Sequence, residues 1–448
     1  MAAIPDAIDA DRGPPMAVPL QHFVVALVFL LAGTVAGVAG QFGLLAGMEH
    51  VAFVHLLFVG WVCITILGAM TQFVPVWSGL DLHSRRLAKV QLLVVTVGLA
   101  GLVAALFSGA VAWLAATGTV LAVGIWLFVY NIGRTLAAAR PWDVTERHFA
   151  FALGCFVAVT MLALPLAVGF SRPVFTGLPV THESVRMAHA SVAVFGAVLA
   201  TVLGALYQLA TMFTQTELHG IDTTVRRAET VAYPVGVTAL VVGRLFETVL
   251  LARLGGVLVA GCIIAVGFVV ARRLYETQVD QTPMLSRYAV VAVAMVIWGL
   301  LALPAWAVAP LAAGTLYGAE GTFYLLAFGV ISFVVLGTLY HIVPFLIWVD
   351  RYSGQLGLAD VPMIDDLYSD RLAVVDFTLL SGGVVALVIA DSLAVPSSVL
   401  FFGSLLVLAG GAVFVANVTL VVRRHNPGGV RGLVSDTDPA AGSPEQSD

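Results

Sequence analysis

The chain has 448 residues; 60 % are hydrophobic, 10 % are charged, and the net charge is −5. Soluble domains carry about 25 % charged residues, so a chain this apolar, with mean hydropathy +1.01, is excluded from the soluble enzymes and belongs to the membrane class. No basic patch suited to nucleic acid is present, and no nucleic-acid partner is expected.

In lipid every backbone polar group must be satisfied within its own segment. The apolar runs are long and do not alternate with polar residues, which excludes a β-barrel. An all-α, polytopic membrane protein in direct contact with the lipid bilayer is predicted. Residues 1–19 are acidic and rich in small residues, with Asp6, Asp9 and Asp11, and are expected to be disordered. No basic stretch precedes the first apolar run, which reads as a membrane helix and not as a signal peptide. A span needs ~20 apolar residues. About twelve follow, over 20–42, 50–77, 88–108, 111–134, 148–170, 185–213, 229–251, 254–274, 287–309, 321–349, 372–391 and 397–421. The second, sixth and tenth are longer than the rest, which predicts tilt or protrusion. Residues 423–448 form an acidic tail that includes Asp436, Asp438, Glu445 and Asp448.

With the N-terminus inside, 17 of the 21 basic residues fall on one side of this arrangement; only Arg172, Arg186, Arg244 and Arg253 fall on the other. The positive-inside rule then places both termini in the cytoplasm of a plasma-membrane protein. Cys63, Cys155 and Cys262 stand singly in apolar runs, a pattern that fits neither a disulfide framework nor a zinc site.

The three long spans repeat one another. GWVCITILGAMTQFVP begins at Gly60, GAVLATVLGALYQLAT at Gly196 and GVISFVVLGTLYHIVP at Gly329. Each has a second glycine eight residues on (Gly68, Gly204, Gly337), then Gln72, Gln208 or His341, then Pro75, Thr211 or Pro344. One copy per four spans divides the transmembrane domain, 20–422, into units of about 20–140, 141–275 and 276–422. The copies run in the same direction, which predicts three parallel four-helix repeats about an axis along the membrane normal. Glycines eight apart lie on nearly one helix face. That face admits a neighbouring backbone or a flat cofactor. Gln72, Gln208 and His341 predict a polar layer near the inner end of the axis.

Ionisable residues inside a membrane raise a functional hypothesis. His83, His148, His219 and His425 read as interfacial. His55 and His189 lie near the outer ends of equivalent spans and point to a shared cofactor or metal site, since imidazole suits copper, iron or zinc. His182, seven residues before His189, is a third candidate metal ligand, with Glu49, His50, Glu183 and Met187 at similar depth. Arg244 and Glu247, three apart in the seventh span, read as a structural ion pair. The inner loop LADVPMIDDLYSDR, with Asp360, Asp365, Asp366 and Asp370, reads as a solvated connection or a docking segment.

Twelve spans in three parallel arcs, with histidines near the outer ends of the second and sixth, resemble heme-copper oxidase subunit I. They also resemble its degenerate relatives, including NnrS-type membrane proteins linked to nitric oxide. The resemblance implies that His55 matches the second-helix ligand of the low-spin heme and His189 a copper ligand of the sixth helix. The tenth span departs from that pattern: GTFYLLAFGV has Thr322 and Tyr324 where heme ligands would be sought. The seventh span has no histidine pair, and Ala193 stands four residues after His189 where the oxidases have tyrosine. A complete oxygen-reducing centre is therefore not expected. What the resemblance implies is a heme- or copper-binding protein of respiratory or nitric-oxide metabolism, with Tyr324 a candidate second heme ligand and an electron-transfer or assembly protein as partner. The alternative is a cofactor-free transporter or channel, to which the polar inner layer would contribute.

Overall fold

The computed structural model describes residues 16–426 and Gly429. Arg12, Arg431, the acidic residues of the first segment and those of the tail lie outside the described residues. Twelve long helices fill the described part: α1 Ala17–Gln41, α2 Glu49–Ser78, α3 Arg85–Ser108, α4 Val111–Ala138, α5 Val144–Gly169, α6 His182–Thr214, α7 Ile221–Leu245, α8 Val249–Tyr275, α9 Pro283–Val308, α10 Leu325–Arg351, α11 Asp370–Ser392 and α12 Ser397–His425. No strand occurs among the described residues. The chain is an all-α polytopic membrane protein. Eleven of these helices are long and apolar enough to cross a membrane. The remaining one, α7, is as long but carries Asp222, Arg226, Arg227, Glu229 and Arg244.

Two boundaries depart from the sequence expectation. Helix α1 already begins at Ala17, inside the stretch expected to be disordered. Helix α7 starts at Ile221 and not near residue 229, because its charged first turn is neutralised by the end of α8: Asp222 pairs with Arg273 at 2.9 Å and with Arg272 at 3.1 Å. It stops at Leu245, and Glu247 then takes a left-handed backbone conformation with φ 54°.

Packing follows the repeat. In every unit the first helix lies against the second and the third against the fourth. The fourth helix of each unit then packs on the first of the next: α4 on α5, α8 on α9, and α12 on α1. The last contact closes a ring of three units. The second helices occupy its interior. In α2, α6 and α10, 72 %, 89 % and 89 % of the apolar window is buried, against 28–56 % in the other eight spanning helices. The outer helices present Val28, Leu93, Trp126, Val293, Val385 and Phe402 outwards, as lipid contact requires.

The glycine spacing has a geometric cause. Each central helix contains a widened stretch with π-helical bonding: Leu56–Cys63, Val192–Val198 and Leu325–Ser332. Two α-helical turns use about seven residues; a π-type turn takes up one more, so two turns here consume eight. Gly60 and Gly68 therefore stack in line and meet Phe29 and His22 on α1, which are seven apart. Gly196 and Gly204 meet Cys155 and His148 on α5, and Gly329 and Gly337 meet Ala294 and Arg287 on α9, each pair again seven apart. The approach is close: a Cβ at Gly60 would lie 2.6 Å from Phe29 Cβ, and one at Gly204 would lie 2.5 Å from His148 Cβ. The first helix of each unit thus fills the glycine face. Of the two occupants the sequence allows for this face, a neighbouring helix is the one found there.

Candidate functional site

Two regions carry chemistry. One lies near the end of the bundle remote from the basic loops. There His55 ends the first turns of α2, immediately before its widened stretch, and His189 precedes that of α6 by three residues. Both rings are half-buried. Both have one nitrogen committed: His55 Nδ1 is 2.8 Å from Val51 O, and His189 Nδ1 is 3.0 Å from Val159 O. A carbonyl can only accept, so Nδ1 carries the proton in each ring and Nε2 keeps its lone pair. This is how metal-ligating histidines are commonly prepared, with the far nitrogen held by a backbone carbonyl. The widened stretches that follow them, Leu56–Cys63 and Val192–Val198, pack on one another.

The remaining candidates on this side are not assembled with them. His182 is at the first turn of α6, edge-on to Phe170 and Phe175 with ring centroids at 5.3 and 5.5 Å. Glu183 pairs with Arg186. Tyr324 stands at the head of α10, stacked on Phe328. It lines a cavity of about 200 Å³ with Gln41, Glu49, His50, Phe53 and Ser404, and His55 is not part of that lining. No group of three or more His, Cys, Asp or Glu placed to hold a metal occurs among the described residues. His55 and His189 thus remain the two candidates with similarly held rings, while His182 and Tyr324 lie in other surroundings.

Arg244 and Glu247 do not form the expected pair. The helix ends between them, and Glu247 reaches Thr181 Oγ1 at 3.4 Å. Arg244 is buried and spends its guanidinium on Ser191 Oγ at 2.6 Å and on the carbonyls of Pro310, Thr315 and Leu316. It clamps the connection between α9 and α10 to the core.

The second region lies near the basic end, and the sequence reading did not reveal it. Gln72, Gln208 and His341 do not join in one hydrogen-bonded layer. Gln72 is buried with its Oε1 unpartnered, Gln208 donates to Asp143 at 3.4 Å, and His341 packs between Phe213 and Phe345. The polar groups that do meet lie between the first and third helices of each unit. In the first unit, Gln91 on α3 faces His22 on α1 at 2.7 Å. In the second, Glu229 on α7 faces His148 on α5 at 2.9 Å. In the third, Asp376 on α11 pairs with Arg287 on α9. All six residues are at most 2 % exposed. His148, expected at the interface, and Arg287, at the expected start of the ninth span, are core residues; His83 and His219 lie in connections between helices and His425 ends α12.

The equivalence extends further. The residue before Gln72, Gln208 or His341 is Thr71, Tyr207 or Tyr340. Tyr207 donates to Glu229 Oε2 at 3.3 Å, and Tyr340 donates to Asp376. Asn131 on α4 bonds both backbone groups of Ser84, and Asn417 on α12 does the same for Ser369, at distances of 2.9–3.0 Å. Each thereby ties the fourth helix to the start of the third. The second unit makes this tie with Asp222 and Arg273 instead. The six residues stand four to eight positions beyond the first residues of their helices, among other polar residues, so the sequence does not single them out.

A vestibule of about 220 Å³ opens beside the second unit at this end, lined by Asp143, Thr145, Tyr207, Gln208, Glu217 and Arg226. Asp143 caps α5 through the N–H groups of Thr145 and Glu146. Burial disfavours its charge, but its hydrogen bonds with Glu146 and Thr145, with Arg226 nearby, hold its carboxyl below the usual range. The loop between α10 and α11 is anchored by Trp348 on Pro362 O and by Asp366 on Met363 N, with Asp360 and Asp365 at the surface.

Comparison with protein-family models gives no match, and comparison with curated proteins gives none.

Proposed function

We propose that the chain is a metal-binding membrane protein with the architecture of heme-copper oxidase subunit I, acting in respiratory or nitric-oxide metabolism from the plasma membrane, with both termini cytoplasmic. The observation that carries this reading is the His55–His189 pair. Two imidazoles on equivalent central helices each have Nδ1 held by a backbone carbonyl and Nε2 unprotonated. Two such nitrogens suit copper. In this reading His55 and His189 hold the ion, and the carbonyls of Val51 and Val159 fix the tautomers. Bound copper would supply one-electron chemistry, and an electron-transfer or assembly partner would serve it.

The test is a copper titration of the purified full chain, with metal analysis and spectra of oxidised and reduced samples. Wild-type protein binds one copper per chain without a Soret band. His55→Ala and His189→Ala each weaken binding at least tenfold. Folded wild-type protein that binds no copper, or variants that bind as wild type does, would sink the reading.

A second reading, a cofactor-free transporter or channel, draws on the buried polar pairs at the basic end. It predicts solute or ion flux in proteoliposomes that survives His55→Ala and is lost in Glu229→Gln.

A further inference from the structure

Three copies of one polar contact in a single chain allow an internal comparison. In all three, a first-helix side chain is tied back to the carbonyl four residues earlier: His22 Nδ1 to Val18 O at 2.8 Å, His148 Nδ1 to Val144 O at 2.8 Å, and Arg287 to Pro283 O at 2.6 Å. Each then faces a third-helix polar group. What differs is where the bridging proton comes from. In the first unit His22 Nε2 is an acceptor, and the Gln91 amide supplies a proton that it never gives up. In the third, the Arg287 guanidinium supplies one, and it stays charged at any physiological pH.

The second unit has neither. With Nδ1–H donating to Val144 O, a neutral His148 turns the lone pair of Nε2 towards Glu229 Oε1, which is also an acceptor when ionised. A 2.9 Å contact between them requires one extra proton, on the imidazole or on the carboxyl. This is the one of the three contacts whose hydrogen bond depends on an exchangeable proton. It also has a way out: Tyr207 donates to Glu229 Oε2 and lines the vestibule. The vestibule has room for several waters, at about 30 Å³ each.

We propose that the second unit is a proton-exchange site, in which the His148–Glu229 pair takes up and releases one proton through Tyr207 and the vestibule at the basic end of the bundle. In uptake, a proton from vestibule water lands on the Tyr207 oxygen as the tyrosine's own hydroxyl proton passes to Glu229 Oε2. The carboxylate–imidazole pair becomes a carboxylic acid–imidazole pair, the carboxyl turning so that the new proton bridges to His148 Nε2, with one fewer negative charge and no change in electrons. Release is the reverse. The groups facing the pair are Tyr207 on α6, Tyr233 on α7 with its ring 6.5 Å from that of His148, Cys155 on α5, Cys262 on α8, and Arg226 and Asp143 at the vestibule. Tyr233 donates to Phe195 O at 2.7 Å, which removes it from the relay. The inference does not depend on a metal at His55 and His189.

The experiment is pH-difference infrared spectroscopy of the full chain in nanodiscs, in H2O and D2O, followed by pH-jump kinetics of the same bands. The expected result is a protonated-carboxyl band that grows as pH falls and shifts in D2O. It is absent from Glu229→Gln and present in Glu49→Gln. The Glu229→Gln change recreates the His–Gln contact that the first unit already accommodates, so folding should survive; size-exclusion behaviour checks this. Tyr207→Phe keeps the band but slows its response to a pH jump at least tenfold. A band that persists in Glu229→Gln, or no pH-dependent band in the wild type, overturns the proton site. Unchanged kinetics in Tyr207→Phe overturn the route. A band that answers to sodium at constant pH marks a cation site instead and overturns the proposal. Should Glu229→Gln fail to fold, His148→Gln and Tyr207→Phe provide the same decision.

Discussion

Asp376→Ala is the sharpest test of how the third unit is held. Asp376 is fully buried, pairs with Arg287 and accepts from Tyr340; Asn417 in turn donates to Tyr340 Oη at 3.0 Å. Removing the carboxylate leaves a buried guanidinium without its counter-charge, which typically costs about 3–5 kcal/mol. Arg287 keeps the carbonyls of Pro283 and Ala373, and its guanidinium lies 4.4 Å from the Tyr340 ring centroid and 5.4 Å from that of Phe377. These retained contacts place the expected loss at the low end, about 3 kcal/mol. The assay is equilibrium unfolding in mixed micelles, run as a double-mutant cycle with Arg287→Met and the pair Arg287→Met/Asp376→Ala. The double variant should recover most of the loss, because two apolar side chains leave no uncompensated charge. Polar contacts between membrane helices often contribute only ~0.6 kcal/mol. A single-variant loss that small, or a double variant whose loss equals the sum of the singles, would refute the argument that the pair is desolvated and mutually dependent.

Gly204→Leu should destabilise by about 3 kcal/mol or prevent assembly, since a Cβ already lies 2.5 Å from His148 Cβ and overpacking costs roughly 1–3 kcal/mol before the longer side chain is placed. Gly154→Leu, where nothing lies within 4 Å, should be tolerated; thermal unfolding of the two side by side tells them apart. Arg244→Met removes a donor from the carbonyls of Pro310, Leu316 and Thr315, the last of which keeps Trp306 Nε1, and should cost about 3 kcal/mol. It should also speed hydrogen exchange over residues 310–318 more than elsewhere, and uniform protection would count against the clamp. Asn417→Leu removes two bonds to Ser369 and one to Tyr340 and should loosen the start of α11, seen as faster exchange at Leu372 and Ala373; unchanged exchange there would show that the tie is dispensable.

Much of the architecture was legible because lipid imposes a strict local rule. A segment that cannot hydrogen-bond to solvent must be helical, so apolar length alone located the spans, and the recurrence of Gly60–Gly68, Gly196–Gly204 and Gly329–Gly337 showed which were equivalent. Cys63, Cys155 and Cys262, each standing singly in an apolar run, are buried. The start of α7 was missed because its charges are neutralised by Arg272 and Arg273 some fifty residues later, outside any local window.

The polar contacts needed the tertiary structure. Hydropathy reads His148 and Arg287 as boundary residues, since a charge near a helix end ordinarily reaches water. Burial depends on whether a complementary group arrives from another helix. Glu229 lies 81 residues from His148, and Asp376 lies 89 from Arg287. The glycine spacing of eight was visible, but its cause, a widened turn that brings both glycines over one neighbouring helix, is a property of the backbone path. Sequence alone determined that the chain is a helical membrane bundle, because apolar length and short-range hydrogen-bond necessity fix that, and the recurring glycine segments marked three equivalent spans. Only the fold decided which polar side chains meet inside it, because desolvated partners are chosen by distance in space and not by separation along the chain.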